Sequence, residues 1–152
     1  MKAAQNLNRE GLINVITTRF GTVPVPGEKV IQFVHGIPGF EKLRRFILID
    51  HDKDGIFRWL QSTEEPGVAF LLTDPNIYKP GYTVPLRKSQ AEELGAAGAE
   101  GCIVMVMVSA SEASGQVSLN LKGPVVFNSI NMKAMQCIVD REDYPVNYPV
   151  KF

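Results

Sequence analysis

Residues Gly115–Ser129 read GQVSLNLKGPVVFNS. Val117, Leu119 and Leu121 alternate with Gln116, Ser118, Asn120 and Lys122, the period-2 pattern of a strand with one face on a core and the other on water or a partner. Gly123-Pro124 then breaks the chain. Proline donates no ladder hydrogen bond, so Pro124 belongs at a strand start or an edge, and Val125-Val126-Phe127 opens the next strand. Asn120 and Asn128 flank the break, where they serve turn chemistry or, in the functional alternative, contact a partner. An open edge nearby would accept an added strand, and a groove beside it would suit an amphipathic helix.

The same texture extends in both directions. INVITTRF (13–20), EKVIQFV (28–34), RRFILID (44–50), FRWLQS (57–62), VAFLLT (68–73), GCIVMVMVS (101–109) and MQCIVD (135–140) are short apolar or alternating runs. VPVPGE, HGIPGF, DKDG, EEPG, DPN and ASGQ separate them at short intervals. This spacing predicts an antiparallel sandwich or barrel. One helix interrupts the strands. In SQAEELG (89–95), Ser89 is expected to cap the N-terminus, Glu92 to complete a capping box and Gly95 to end the helix. Residues 1–11 are polar and aperiodic and read as a flexible lead-in, leaving 12–152 as one domain.

Composition narrows the function classes. The chain has 152 residues, 45% hydrophobic and 21% charged, enough to bury roughly two-thirds of its unfolded surface in one core. Sixteen basic residues balance 16 acidic ones, which is not the footprint of a nucleic-acid binder. The longest apolar run, CIVMVMV (102–108), is far short of the roughly 20 residues a membrane helix needs. The N-terminus lacks the apolar core of a secretion signal, so a cytoplasmic location is expected. Cys102 and Cys137 each lie within an apolar run and read as buried reduced thiols.

No catalytic constellation stands out. His35 and His51 sit beside turns without metal-ligand spacing. There is no GxSxG elbow and no phosphate loop, and GAAGAEG (95–101) reads as a plain loop. Glu64-Glu65 and Glu92-Glu93 are adjacent pairs whose side chains diverge; they read as solvated surface, or as contacts for a basic partner. No cofactor or metal is expected.

Two stretches invite a binding role. Ile37-Pro38-Gly39-Phe40 fits a type II turn, with proline setting φ at its second position and glycine accepting the positive φ of the third. Either Ile37 and Phe40 fold back to plug one end of a barrel, or the rigid turn holds one or both in an apolar surface patch. Trp59, the only tryptophan, is expected in the core, with Gln61 and Ser62 at its strand end as further candidate contacts.

FVHGIPGFE (33–41), LQSTEEPGVAFLLTDP (60–75) and LNLKGPVVFN (119–128), in this order and at these separations, resemble the bacterial flagellar assembly factor FliW family over about residues 12–145. Gly36, Pro38, Gly39, Phe40 and Glu41 match its first motif, with Ile37 where leucine is usual. Gln61, Ser62, Pro66, Ala69, Phe70 and Pro75 match the second. Asn120, Leu121, Pro124 and Asn128 match the third, with Gly123 replacing a common alanine and Phe127 a common aliphatic residue. The tail DYPVNYPVKF lacks the Arg-His-Pro that often follows, so Tyr144 and Tyr148 rank low as contacts.

The resemblance implies a mainly β, small antiparallel β-barrel-like domain with one short helix and no catalytic activity. It implies binding to the C-terminal segment of flagellin in the cytoplasm, as a chaperone. It also implies binding to the translational regulator CsrA, in competition with flagellin, with no direct contact to nucleic acid or membrane. Ile37, Pro38, Gly39, Phe40, Glu41, Gln61, Ser62, Asn120 and Asn128 are the candidate partner-binding residues. The alternative is a small-ligand-binding or enzymatic barrel with His35, Glu41 and Gln61 converging at its mouth. An oligonucleotide-binding barrel is disfavoured, because the strands show no interleaving of basic and aromatic residues.

Overall fold

The computed structural model describes residues 6–7 and 11–151. Its strands are β1 (Asn6–Leu7), β2 (Leu12–Thr17), β3 (Gly21–Pro26), β4 (Ile31–Phe33), β5 (Arg45–Asp50), β6 (Phe57–Ser62), β7 (Ala69–Thr73), β8 (Ile103–Ala110), β9 (Val117–Leu119), β10 (Val125–Asn128), β11 (Lys133–Gln136) and β12 (Tyr148–Val150), with helix α1 (Lys88–Leu94) between β7 and β8. Within residues 1–11, Asn6–Leu7 pair with Ile13–Asn14 of β2, and the rest of the lead-in, apart from Gly11, lies outside the described residues.

Strands β4, β5, β6, β7, β8, β10 and β11 close into a barrel, with β8 pairing β10 to complete the ring. The expected small, mainly antiparallel barrel is present, and one seam is parallel: β11 runs parallel to β4, Ala134 opposite Phe33. The cause is parity. Directions alternate around an antiparallel ring, and a ring of seven strands cannot alternate throughout, so one pair must be parallel.

Alternation along each strand divides the apolar residues between two layers. Ile31, Phe33, Phe46, Leu60, Leu72, Met105, Val125, Phe127 and Ala134 fill the barrel, with Phe33 and Phe46 edge-on at 5.1 Å. Each of these side chains except that of Ala134 contributes about 1.5–3 kcal/mol when taken from water. Val106, Val126 and Met135 point outward and are covered by Tyr82, Val84, Leu94, Leu119, Leu121, Val139 and Tyr144. β10 is thus buried on both faces, which is why Val125-Val126-Phe127 shows no alternation. The β2–β3 hairpin packs Val15 and Val25 on Ile47, on the outer side of β5.

The alternation read at Val117–Leu121 holds in burial from Ser118 onward: Leu119 and Leu121 are buried while Ser118 and Asn120 are half-exposed, and Val117 is half-exposed as well. The ladder itself stops at Leu119. The helix starts earlier than its sequence suggests. Ser89 lies inside α1; the Arg87 N–H instead donates to Gln90 Oε1 at 2.9 Å. Gly95 ends the helix as expected, in the left-handed conformation at φ 65°. Cys137 is buried and Cys102 half-buried, both as free thiols. No helix among the described residues is long and apolar enough to cross a membrane.

Candidate functional site

The Ile37–Phe40 turn sits at one end of the barrel. Gly39 has φ 87° and the Phe40 N–H donates to the Ile37 carbonyl at 2.7 Å, the geometry of a type II turn. Gly36 makes it fit: a Cβ there would collide with the Glu41 backbone, whose carbonyl oxygen would stand at 2.6 Å. The Glu41 carboxylate accepts the Gly39 N–H at 3.0 Å, and this bond holds its pKa below the usual glutamate value.

The two apolar residues of the turn part company. Ile37 is 3% exposed and plugs the barrel, whereas Phe40 is 39% exposed and lies edge-on against Phe70 at 5.1 Å. Plug and patch are both present, one residue each. Beside Phe40 opens a groove of about 350 Å³, lined by Ile37, Pro38, Phe70, Met107, Asn120, Lys122, Gly123, Gln136, Ile138 and Val146. Ile138 and Val146 are 67% and 58% exposed. Its walls are mainly apolar. Lys122 lies 3.7 Å from Asp140, and the Gln136 amide donates to the Gly123 carbonyl at 2.8 Å.

The candidate residues therefore separate. Ile37, Pro38, Phe40 and Asn120 line this groove, and Gly39 and Glu41 hold its turn. Asn120 also braces the Gly-Pro break by accepting the Gly123 N–H at 2.9 Å. Gln61, Ser62 and Asn128 lie elsewhere, buried and structural. The Gln61 amide donates to the carbonyls of Ser62, Pro66 and Val68 at 3.0–3.2 Å, and Ser62 Oγ accepts the N–H groups of Glu64 and Glu65. Asn128 donates to the Leu94 carbonyl at 2.8 Å, tying the β10–β11 turn to the end of α1.

Phe70, a residue of the second motif, completes the groove with Met107, Ile138 and Val146, and none of the four is among the candidate partner-binding residues. In the fold Cys137 and Val139 are buried, which leaves Ile138 between them exposed on the opposite side. Trp59 corrects another expectation. It is half-buried on the outer face of β6, under the Arg19 guanidinium at 4.2 Å and donating to His51 Nδ1 at 3.2 Å. The hairpin tip, rather than the core, covers it.

The residues proposed for a catalytic mouth do not converge. His35 pairs with Glu93 at 2.6 Å, Glu41 is committed to its turn, and Gln61 is buried in the 62–68 loop. Glu64 is not simply solvated; its carboxylate accepts the N–H groups of Arg44 and Arg45.

A small closed barrel, filled by side chains and bearing an apolar groove at one mouth, is the class of protein this geometry defines. The family model described as FliW protein matches residues 14–150. The flagellar assembly factor FliW of Caldanaerobacter subterraneus subsp. tengcongensis is 35% identical over 135 residues, covering 88% of this chain and 90% of that protein. That of Caldicellulosiruptor saccharolyticus is 37% identical over 136 residues, covering 89% of each. A solved crystal structure of the flagellar assembly factor FliW superposes with a TM-score of 0.79 at 25% identity, covering 91% of this chain and 99% of that one. The chain belongs to the FliW family of flagellar assembly factors.

Proposed function

We propose that this protein binds the C-terminal segment of flagellin in the cytoplasm as a chaperone, and that it antagonises the translational regulator CsrA, so that the flagellin level controls flagellin translation. The observation that carries the flagellin part is the groove at the Ile37–Phe40 mouth, where Phe40, Ile138 and Val146 stand exposed around a braced turn. The terminal segments of flagellin are apolar amphipathic helices before assembly, and such a helix seats its apolar face in a groove of this kind. A rigid turn lowers the ordering cost of binding. No bond is made or broken in this role. CsrA presents a basic surface, and exposed carboxylates on this protein would complement it or repel competing RNA.

Calorimetry with purified flagellin tests the first part. Saturable binding is expected, lost when the C-terminal segment of flagellin is deleted. Phe40→Ser with Val146→Ser is expected to weaken it by about tenfold or more, the effect of removing apolar anchors; the melting temperature falls modestly, because Phe40 packs on Phe70 while Val146 is mostly exposed, and binding is measured well below it. Unchanged affinity in both cases would overturn the assignment. For CsrA, the protein should release RNA from a CsrA complex in a gel-shift assay and flagellin should reverse the release; failure of either step removes that part alone.

A further inference from the structure

The opposite mouth of the barrel has a different character. Ile103, Met105 and Met107 fall on the same side of β8, because side chains repeat every two residues along a strand. Met107 lines the groove already described, Met105 is buried between the mouths, and Ile103 emerges at the far end. There Ile56, Ile77 and Ile103, each more than one-third exposed, surround a cavity of about 320 Å³. A second, larger hollow of about 1000 Å³ shares Asp74, Ile103 and Val104 with it and includes Glu100 in its lining.

Carboxylates rim this apolar floor. Asp54 and Asp74 line the first cavity, and Asp74 and Glu100 the second. Among the described residues none of the three forms an ion pair. The one guanidinium lining these cavities, that of Arg58, has its Nε 3.3 Å from Asp50 without a hydrogen bond between them, so the linings carry three carboxylates against one guanidinium. Three isoleucines from three separate elements, under an excess of negative charge, repel RNA and anionic lipid and attract a segment that is apolar on one side and cationic on its margins.

We propose that this second mouth docks a basic amphipathic helix of a partner protein. Apolar side chains of the helix at i, i+3 and i+4 seat among Ile56, Ile77 and Ile103, and its lysines or arginines meet Asp54, Asp74 and Glu100. The inference is independent of flagellin, since it concerns the other end of the barrel.

The probe is a synthetic helical peptide with leucines on one face and lysines on the other, titrated into the isotopically labelled full chain and followed by methyl NMR, beside a peptide carrying glutamates in place of the lysines. The lysine peptide is expected to shift the methyls of Ile56, Ile77 and Ile103 and not those of Ile138 and Val146. Its affinity should fall steeply as salt rises from about 50 to about 500 mM, because exposed charge pairs are screened. Asp54→Asn, Asp74→Asn and Glu100→Gln together should weaken it about tenfold; asparagine at 74 keeps an acceptor for the Asn76 N–H that Asp74 caps. Phe40→Ser with Val146→Ser should leave it unchanged. Equal binding of the glutamate peptide, shifts confined to the Ile138 and Val146 end, or full affinity in the neutralised variant would each overturn the proposal. So would sedimentation showing a dimer that Ile77→Ser with Ile103→Ser dissolves, since the occupant would then be a second copy of this chain.

Discussion

The two mouths of the barrel are built on the same strands and differ in what holds their apolar residues open. Four residues of β8, about 13 Å of strand, separate Met107 at one mouth from Ile103 at the other. At the first, a type II turn with Gly36, Gly39 and Glu41 fixes Phe40 beside a nearly neutral groove. At the second, isoleucines come from a hairpin, a 3₁₀ turn and a strand end, under carboxylates with no cationic partner among the described residues. Exposed apolar groups acquire specificity in two ways: rigid presentation at one end and charge at the other. Affinity at the first mouth should therefore depend on local geometry, and at the second on ionic strength.

Substitutions can break this contrast. The largest effect is expected from Phe46→Ala, which empties the plug between the mouths. A large-to-small change at a fully buried phenylalanine costs about 3–5 kcal/mol, and chemical denaturation should show that loss together with weakened binding at both ends. Equal stability would mean that the mouths are not joined through a shared core.

Next comes Gly36→Ala. Its Cβ meets backbone rather than a movable side-chain end, so the turn must shift. Overpacking of this kind costs about 1–3 kcal/mol, and flagellin affinity should fall while methyl shifts at Ile56, Ile77 and Ile103 stay in place. A disturbance of those methyls would show that the ends are coupled.

A smaller effect is expected from alkali, acting on the layer outside the barrel. Burial pushes the Cys137 thiol up to about 11 from 9.0 and raises Tyr82 as well. The unfolded chain then releases these protons first, so the stability contribution is whole below about pH 9 and is lost as pH climbs toward 11. Melting temperatures across that window should decline, and less steeply in Cys137→Ala. A flat profile would mean that the thiol ionises freely in the fold.

The smallest effect belongs to Glu41→Gln. The depressed pKa of Glu41 places its contribution above the ordinary value of 4.5, and that contribution disappears as pH falls below it. The variant should therefore show a slightly shallower acid limb in melting temperature, and an unaltered limb would mean that the Gly39 contact contributes nothing to the turn.

Much of the fold was legible in the strand texture and the turn residues. Pro38 and Gly39 favour a type II turn through their local dihedral preferences, and Gly95 ends α1 in the left-handed conformation glycine accepts. The candidate site was legible only in part. Gln61, Ser62 and Asn128 stood out as polar residues at strand ends, and in the fold they satisfy buried backbone groups. Ile138 and Val146 carried no motif, because an exposed apolar residue gains meaning only from neighbours distant in the chain.

The sequence by itself determined the strands, the turn at Ile37–Phe40, the end of the helix and the family, because these depend on local dihedral preferences, period-2 burial and motif order. Tertiary structure alone decided that Ile37 is inside and Phe40 outside, that β4 and β11 meet in parallel, and that Ile56, Ile77 and Ile103 share one end. Those facts follow from closing seven strands into a ring, a condition on the whole chain that no short stretch contains.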